Sequence, residues 1–85
     1  MKWGLAITNR ARKQLRRLPA PELSDINRAF LEMSEDPFRG DVKFLRGLDG
    51  ALRRRVGNRR ILYELNQENK VIVVMAVKRR GSNTY

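Results

Sequence analysis

Residues 52–60 read LRRRVGNRR and residues 78–80 read KRR, which places eight basic side chains in two short stretches of an 85-residue chain. Arginine at this density suits phosphate, because its planar fork grips two oxygens at once and keeps its charge. Arg53, Arg55, Arg60, Lys78, Arg79 and Arg80 are therefore a candidate clamp for a phosphate and its neighbours, provided the segments that carry them pair in one sheet. Binding by these groups alone would be salt-dependent and poor in sequence preference. Proton acceptors are scarce, since the chain has neither histidine nor cysteine. Glu64 and Glu68 are the nearest acids, and Glu64 reads first as an ion-pair partner for a neighbouring arginine and second as a base. Tyr85 is the other acceptor. A phenol has a reference pKa of about 10, and surrounding arginines favour the phenolate. It could then deprotonate a ribose 2′-hydroxyl for attack on the adjacent phosphate; the alternative is a frayed terminal residue.

The charge count bounds the partner. Nineteen Lys and Arg against nine Asp and Glu leave a net charge of +10. An excess this large favours a polyanion, with nucleic acid ahead of an acidic protein or an anionic membrane. It is not evenly spread. Residues 1–36 hold seven basic and five acidic side chains, whereas residues 37–85 hold twelve and four. No stretch approaches the roughly 20 apolar residues of a membrane span, and the opening MKWGLAITNR lacks the apolar core of a signal peptide. Cytoplasmic residence is the default expectation. The absence of cysteine leaves no disulfide framework, and with no histidine either, no metal or cofactor site is expected. At this length one domain spanning residues 1–85 is expected, with a single modest core.

The basic residues need elements to hold them. Residues 3–8, WGLAIT, read as an opening strand, with Thr8 or Asn9 capping a helix that runs to Pro19. Ala11, Leu15 and Leu18 give that helix one apolar stripe, and its arginines read as a solvated face. Pro19-Ala20-Pro21 is a linker, after which Leu23, Ile26, Phe30 and Met33 predict a second amphipathic helix to about Glu35, stopped by Asp36-Pro37. Residues 38–50 read as a loop, with Lys43-Phe44-Leu45 as a short anchoring segment. From Ala51 the period is two: Leu52 and Val56 point one way, Arg53 and Arg55 the other, and Arg54 falls on the apolar face. Either its head reaches an edge or the strand is bulged there. Gly57-Asn58 is a hairpin turn into a strand with Ile61, Tyr63 and Leu65 on one face and Arg60, Leu62 and Glu64 on the other. After the polar turn NQENK, residues 71–77 are apolar on both faces, which suits the central strand of a sheet. The expected class is α+β: an N-terminal strand, an antiparallel helix hairpin, then three antiparallel strands in a twisted sheet with the helices on one face.

Taken together, these pieces resemble the RelE/ParE toxin superfamily of toxin–antitoxin systems, over nearly the whole chain. The resemblance is carried by W-x-L-x-I-T-x-R-A from Trp3 to Ala11 and by Lys13, Leu15, Leu18 and Pro19. It continues through Asp36-Pro37, K-x-L-x-G from Lys43 to Gly47, R-x-R-V-G-x-x-R-I-L-Y from Arg53 to Tyr63, and the valine-rich run into the basic tail. It implies a toxin neutralised by a cognate antitoxin in a higher hetero-oligomer. RelE-like members cleave mRNA in the ribosomal A site, without metal, by 2′-hydroxyl attack on the adjacent phosphate. ParE-like members poison DNA gyrase and lack the nuclease residues. The tail resembles the RelE branch, which implies catalytic roles for Arg53, Arg55, Arg60 and Arg79, and for Tyr85 by its K-R-x-x-S-x-x-Y spacing. Lys78, Arg80, Arg59, Lys43 and Arg46 would then contact RNA or the ribosome. The family pattern has lysines where this chain has Arg53 and Arg55, so both are expected to stabilise charge, with Tyr85 as base. A gyrase inhibitor without nuclease activity and a non-catalytic RNA-binding protein are the alternative readings.

Overall fold

The computed structural model describes residues 2–45 and 50–79, which form two helices and five strands. They follow in the order β1 (Gly4–Ile7), α1 (Asn9–Arg16), α2 (Ala20–Glu35), β2 (Val42–Phe44), β3 (Ala51–Val56), β4 (Arg59–Asn66) and β5 (Val71–Arg79). The strands make one sheet in the order β1-β5-β4-β3-β2, antiparallel except that β1 runs parallel to β5.

Thr8 does the work its position suggests. Its hydroxyl accepts from the Ala11 N–H (3.2 Å) to cap α1 and donates to the Met75 carbonyl (3.1 Å), so the start of α1 is tied to β5. Further along, the Gln14 side chain accepts the Val77 N–H at 2.6 Å and holds α1 against the same strand. The second helix starts one residue before the expected linker ends: Pro19 is its N-cap and Pro21 sits in its first turn, where a missing N–H costs nothing. At its far end, the Ser34 carbonyl accepts the N–H groups of Lys2 and Trp3 (3.1 and 2.9 Å), which fixes the entry into β1.

The core lies between the helices and one face of the sheet. Ala11, Ile26, Ala29, Phe30 and Met33 pack on Leu52, Ile61, Tyr63, Ile72, Val74 and Val77, with Leu15 and Leu18 partly buried against them. The strand register confirms that the sheet residues among these share one face, since Leu52 lies opposite Tyr63 and Ile61 opposite Val77. None of the helices among the described residues is long and apolar enough to cross a membrane.

Three expectations need correction. The loop over residues 38–50 contains β2, a short edge strand paired with β3, and Phe44 is 71% exposed instead of anchored. Glycines and charged residues around it masked a strand whose stability comes from its partner's backbone. The sheet is also wider than three strands, because β5, far along the chain, pairs in parallel with the opening strand β1. The valine-rich strand is consequently interior, between β1 and β4, while β4 takes the centre. Finally, Arg54 neither reaches an edge nor sits in a bulge. The ladder irregularity lies between Leu62 and Tyr63, and Arg54 is 8% exposed with its guanidinium paired to Glu32 of α2.

The segment after α2 closes over that guanidinium. Gly40 has φ +89°, and a Cβ there would come within 2.9 Å of the Arg54 Cζ and Nε, so only glycine fits. Beside it, the buried Tyr63 hydroxyl donates to the Pro37 carbonyl at 2.5 Å. Burial pushes the Tyr63 phenol up to about 12. A raised folded pKa means stability is present below the unfolded value of about 10 and is lost as pH rises through the folded one. Tyr63→Phe leaves the Pro37 carbonyl unpaired and is expected to cost about 1–3 kcal/mol at neutral pH. Urea unfolding of both proteins at pH 8 and pH 11 checks this, with the difference between them shrinking at the higher pH.

Candidate functional site

The β3–β4 hairpin sets the geometry. Gly57 has φ +57° and Asn58 stays at negative φ, the II′ pattern that lets two right-twisted strands meet through two residues. With the turn so closed, Arg55 lies directly opposite Arg60, and Arg53 opposite Leu62. The next ladder sets Arg60 opposite Lys78 and Leu62 opposite Ala76, and the edge ladder sets Lys43 opposite Arg53. Two cross-strand rows result on the face away from the helices: Lys43–Arg53–Leu62–Ala76 and Arg55–Arg60–Lys78. Strands are about 4.8 Å apart and residues two apart on one strand about 6.6 Å, so five cations border a patch floored by Leu62 and Ala76, both buried.

Like charges directly opposite one another destabilise a sheet, and this row has three. Some relief comes locally. Arg53 reaches the carboxylate and carbonyl of Asp41, each at 3.4 Å, but that carboxylate is half exposed and the contact is weak. Arg55 is exposed and has no ion-pair partner among the described residues. Burial, and after it the charge of Arg10 on α1, holds the Lys78 amine below the usual lysine value. Glu64 also lies on this face, opposite Ala51 and Val73, and is exposed. The expected ion pair is not formed among the described residues, because its cross-strand neighbours are apolar.

No family model matches the chain. The toxin RelG of Mycobacterium tuberculosis is 31% identical over 82 residues, which span 95% of this chain and 94% of that protein. The chain belongs to the RelE-like toxin family. Its fold agrees. The crystal structure of the M. tuberculosis toxin–antitoxin complex RelBE2 contains a chain that superposes with a TM-score of 0.83 at 32% identity, covering 94% of this chain and 100% of that one. The archaeal RelE–RelB complex from Pyrococcus horikoshii gives a TM-score of 0.83 at 27% identity, with 95% and 98% covered.

Within this RelE-like toxin, not every basic residue singled out by sequence joins the patch. Arg59 and Arg79 are opposite each other on the helix side of the sheet, out of phase with Arg60 and Lys78. Arg59 is spoken for: its Nη2 and Nε lie 2.8 and 3.2 Å from one carboxylate oxygen of Glu22 on α2. Arg79 is exposed at the end of β5. Arg46, Arg80 and Tyr85 lie outside the described residues. What the sequence reading undervalued is Lys78. Its flanks look like the start of a charged tail, yet it is inside a strand and 8% exposed. Phase alone would have misled: strict alternation puts Lys78 on the side of the core residues Ile72 and Val74, and the ladder shift that skips Met75 is what moves it to the side of Arg60.

Proposed function

We propose that this protein is the toxin of a toxin–antitoxin pair and a ribosome-dependent endoribonuclease, cleaving mRNA in the A site by metal-free attack of a ribose 2′-hydroxyl on the adjacent phosphate. The observation that carries the reading is the row Arg55–Arg60–Lys78, continued by Arg53 and Lys43, on the face that the helices leave uncovered. A scissile phosphate set against that row meets fixed positive charge where the transition state gains negative charge, and an apolar floor that excludes water there strengthens the effect. Arg53, Arg55 and Arg60 are the charge stabilisers. The family resemblance assigns charge stabilisation to Arg79 and the base to Tyr85. A cognate antitoxin is the expected partner, in line with the RelB-bound state of the relatives, and the ribosome and its mRNA are the target.

The test is primer extension on a reporter mRNA in a reconstituted translation reaction, with and without ribosomes. Codon-positioned cuts that need ribosomes support the reading. Intact mRNA together with gyrase cleavage complexes on plasmid DNA would replace it with a ParE-like activity. A second measurement addresses the patch itself. If four or five of its cations contact phosphates, log K for single-stranded RNA falls with log salt at a slope of about −3 to −3.5. Arg55→Ala is expected to reduce the magnitude of that slope by about 0.7, read by fluorescence anisotropy from 50 to 300 mM salt.

A further inference from the structure

We propose that Lys78, and not Tyr85, is the general base of this reaction, its neutral amine taking the proton from the attacking 2′-hydroxyl. The inference rests on the endoribonuclease reading and names the proton acceptor within that same patch. Of the five patch cations, Arg53, Arg55 and Arg60 have no proton to exchange at any working pH. Lys43 is exposed on an edge strand. Lys78 differs from all of them in its setting. It is 8% exposed, stands next to buried Ala76 and Leu62 on the same face, and is directly opposite Arg60, with Arg55 one strand further.

Both features of that setting disfavour the ammonium form: lost hydration and nearby positive charge. The charged groups that face it are Arg60 from β4, Arg55 from β3 and Arg10 from α1. Gln14, the other polar side chain α1 brings to this strand, is occupied by the Val77 N–H. Among the described residues the one carboxylate on this face of β4 is Glu64, four residues along from Arg60 and so about 13 Å away. Among the described residues no acid is in place to hold the lysine charged. The direction of its shift, downward from burial first and Arg10 second, agrees with this geometry. The same surroundings that make an arginine useful for binding phosphate make the one lysine in the row useful for accepting a proton.

The step balances without a co-reactant. The 2′-hydroxyl proton moves to Nζ of Lys78, and the 2′-oxygen forms a bond to phosphorus. The bond from phosphorus to the 5′-oxygen breaks, its electron pair stays on that oxygen, and water protonates it. The products are a 2′,3′-cyclic phosphate upstream and a 5′-hydroxyl downstream.

Single-turnover cleavage of mRNA on programmed ribosomes tests the assignment, with folding of each variant verified by circular dichroism. Lys78→Arg keeps the charge and loses the acceptor, so cleavage is expected to slow by about 100-fold or more. The wild-type rate should rise with pH up to the lowered lysine value, and this limb should be absent in Lys78→Arg. In Lys78→Ala, added methylamine should restore part of the lost rate, which repair of a purely structural defect would not do. Cleavage by Lys78→Arg within a few-fold of wild type, with the pH limb intact, would overturn the proposal. So would loss of that limb in Tyr85→Phe instead, which would return the role to Tyr85. A wild-type protein that cuts nothing on the ribosome would sink the nuclease reading and this assignment with it, whereas wild-type cleavage matched to within a few-fold by Lys78→Arg would sink the assignment alone.

Discussion

Arg60→Ala is expected to slow ribosome-dependent cleavage by about 10²–10³-fold, or roughly 3–4 kcal/mol of transition-state stabilisation. Arg60 is the middle member of its row, flanked by Arg55 on β3 and Lys78 on β5, at the centre of the sheet. No other patch cation has a charged neighbour on both sides in its own row. A phosphate placed anywhere along the row must pass within reach of it. The central strand is also the best position for a group that must not move, because pairing on both edges restrains its backbone. If the role is charge stabilisation in the transition state, kcat should fall with little change in KM. Arg60→Lys should recover part of the loss, because it keeps a point charge without the fork. A folded Arg60→Ala protein that cuts at the wild-type rate would remove the patch from the mechanism.

The second large effect is on stability, and it separates packing from charge at Arg54. Arg54→Ala empties a buried site beneath Gly40 and beside Tyr63 and is expected to cost about 2–4 kcal/mol in urea unfolding. Arg54→Met refills most of the volume and is expected to be far milder, because the arginine is poorly satisfied where it is. Its Nε and Nη1 are buried with no hydrogen-bond partner, and its contact to Glu32 is to a carboxylate that stays 38% exposed. Replacing such a buried charge by an apolar side chain is often neutral or stabilising. The pH dependence gives an internal check. The hydrogen bond and charge of Arg54 hold the Glu32 carboxyl below its ordinary value. A lowered folded pKa contributes stability above the unfolded value of about 4.3, and that contribution is lost as pH falls through the folded one. Wild type should therefore lose ground to Arg54→Met as the pH drops below about 4. If Arg54→Met were as damaging as Arg54→Ala, the ion pair and not the volume would be what the site needs.

Much of the scaffold could be read from residue order. The Thr8 cap, the apolar stripe of α2 and the hairpin at Gly57-Asn58 depend on neighbours a few residues apart, and each formed at the expected place. The phase of Arg53, Arg55 and Arg60 on β3 and β4 followed from a two-residue period and the length of one turn. Three things did not follow, and each depends on distant partners. The short strand around Lys43 has little strand signal of its own and exists through its ladder to β3. The position of β1 depends on a parallel pairing with a strand more than sixty residues later. Arg54, on the apolar side of β3, could be placed only once Glu32 and Gly40 were known to close over it.

The candidate site divides along the same line. Residue types and spacing settled that the chain is strongly basic in its second half, that it has no histidine or cysteine to act for it, and that arginines alternate on a hairpin. Those are properties of local sequence, and they already pointed to phosphate. Which cations share a face was decided by register across four strands. A shift of one residue would have exchanged Lys78 for Arg79 and Arg60 for Arg59, since neighbouring side chains on a strand point to opposite sides. The chemical character of Lys78 was decided by folding as well: its burial, and the arginines drawn from β3, β4 and α1 around it, come from segments that approach one another only in the assembled sheet.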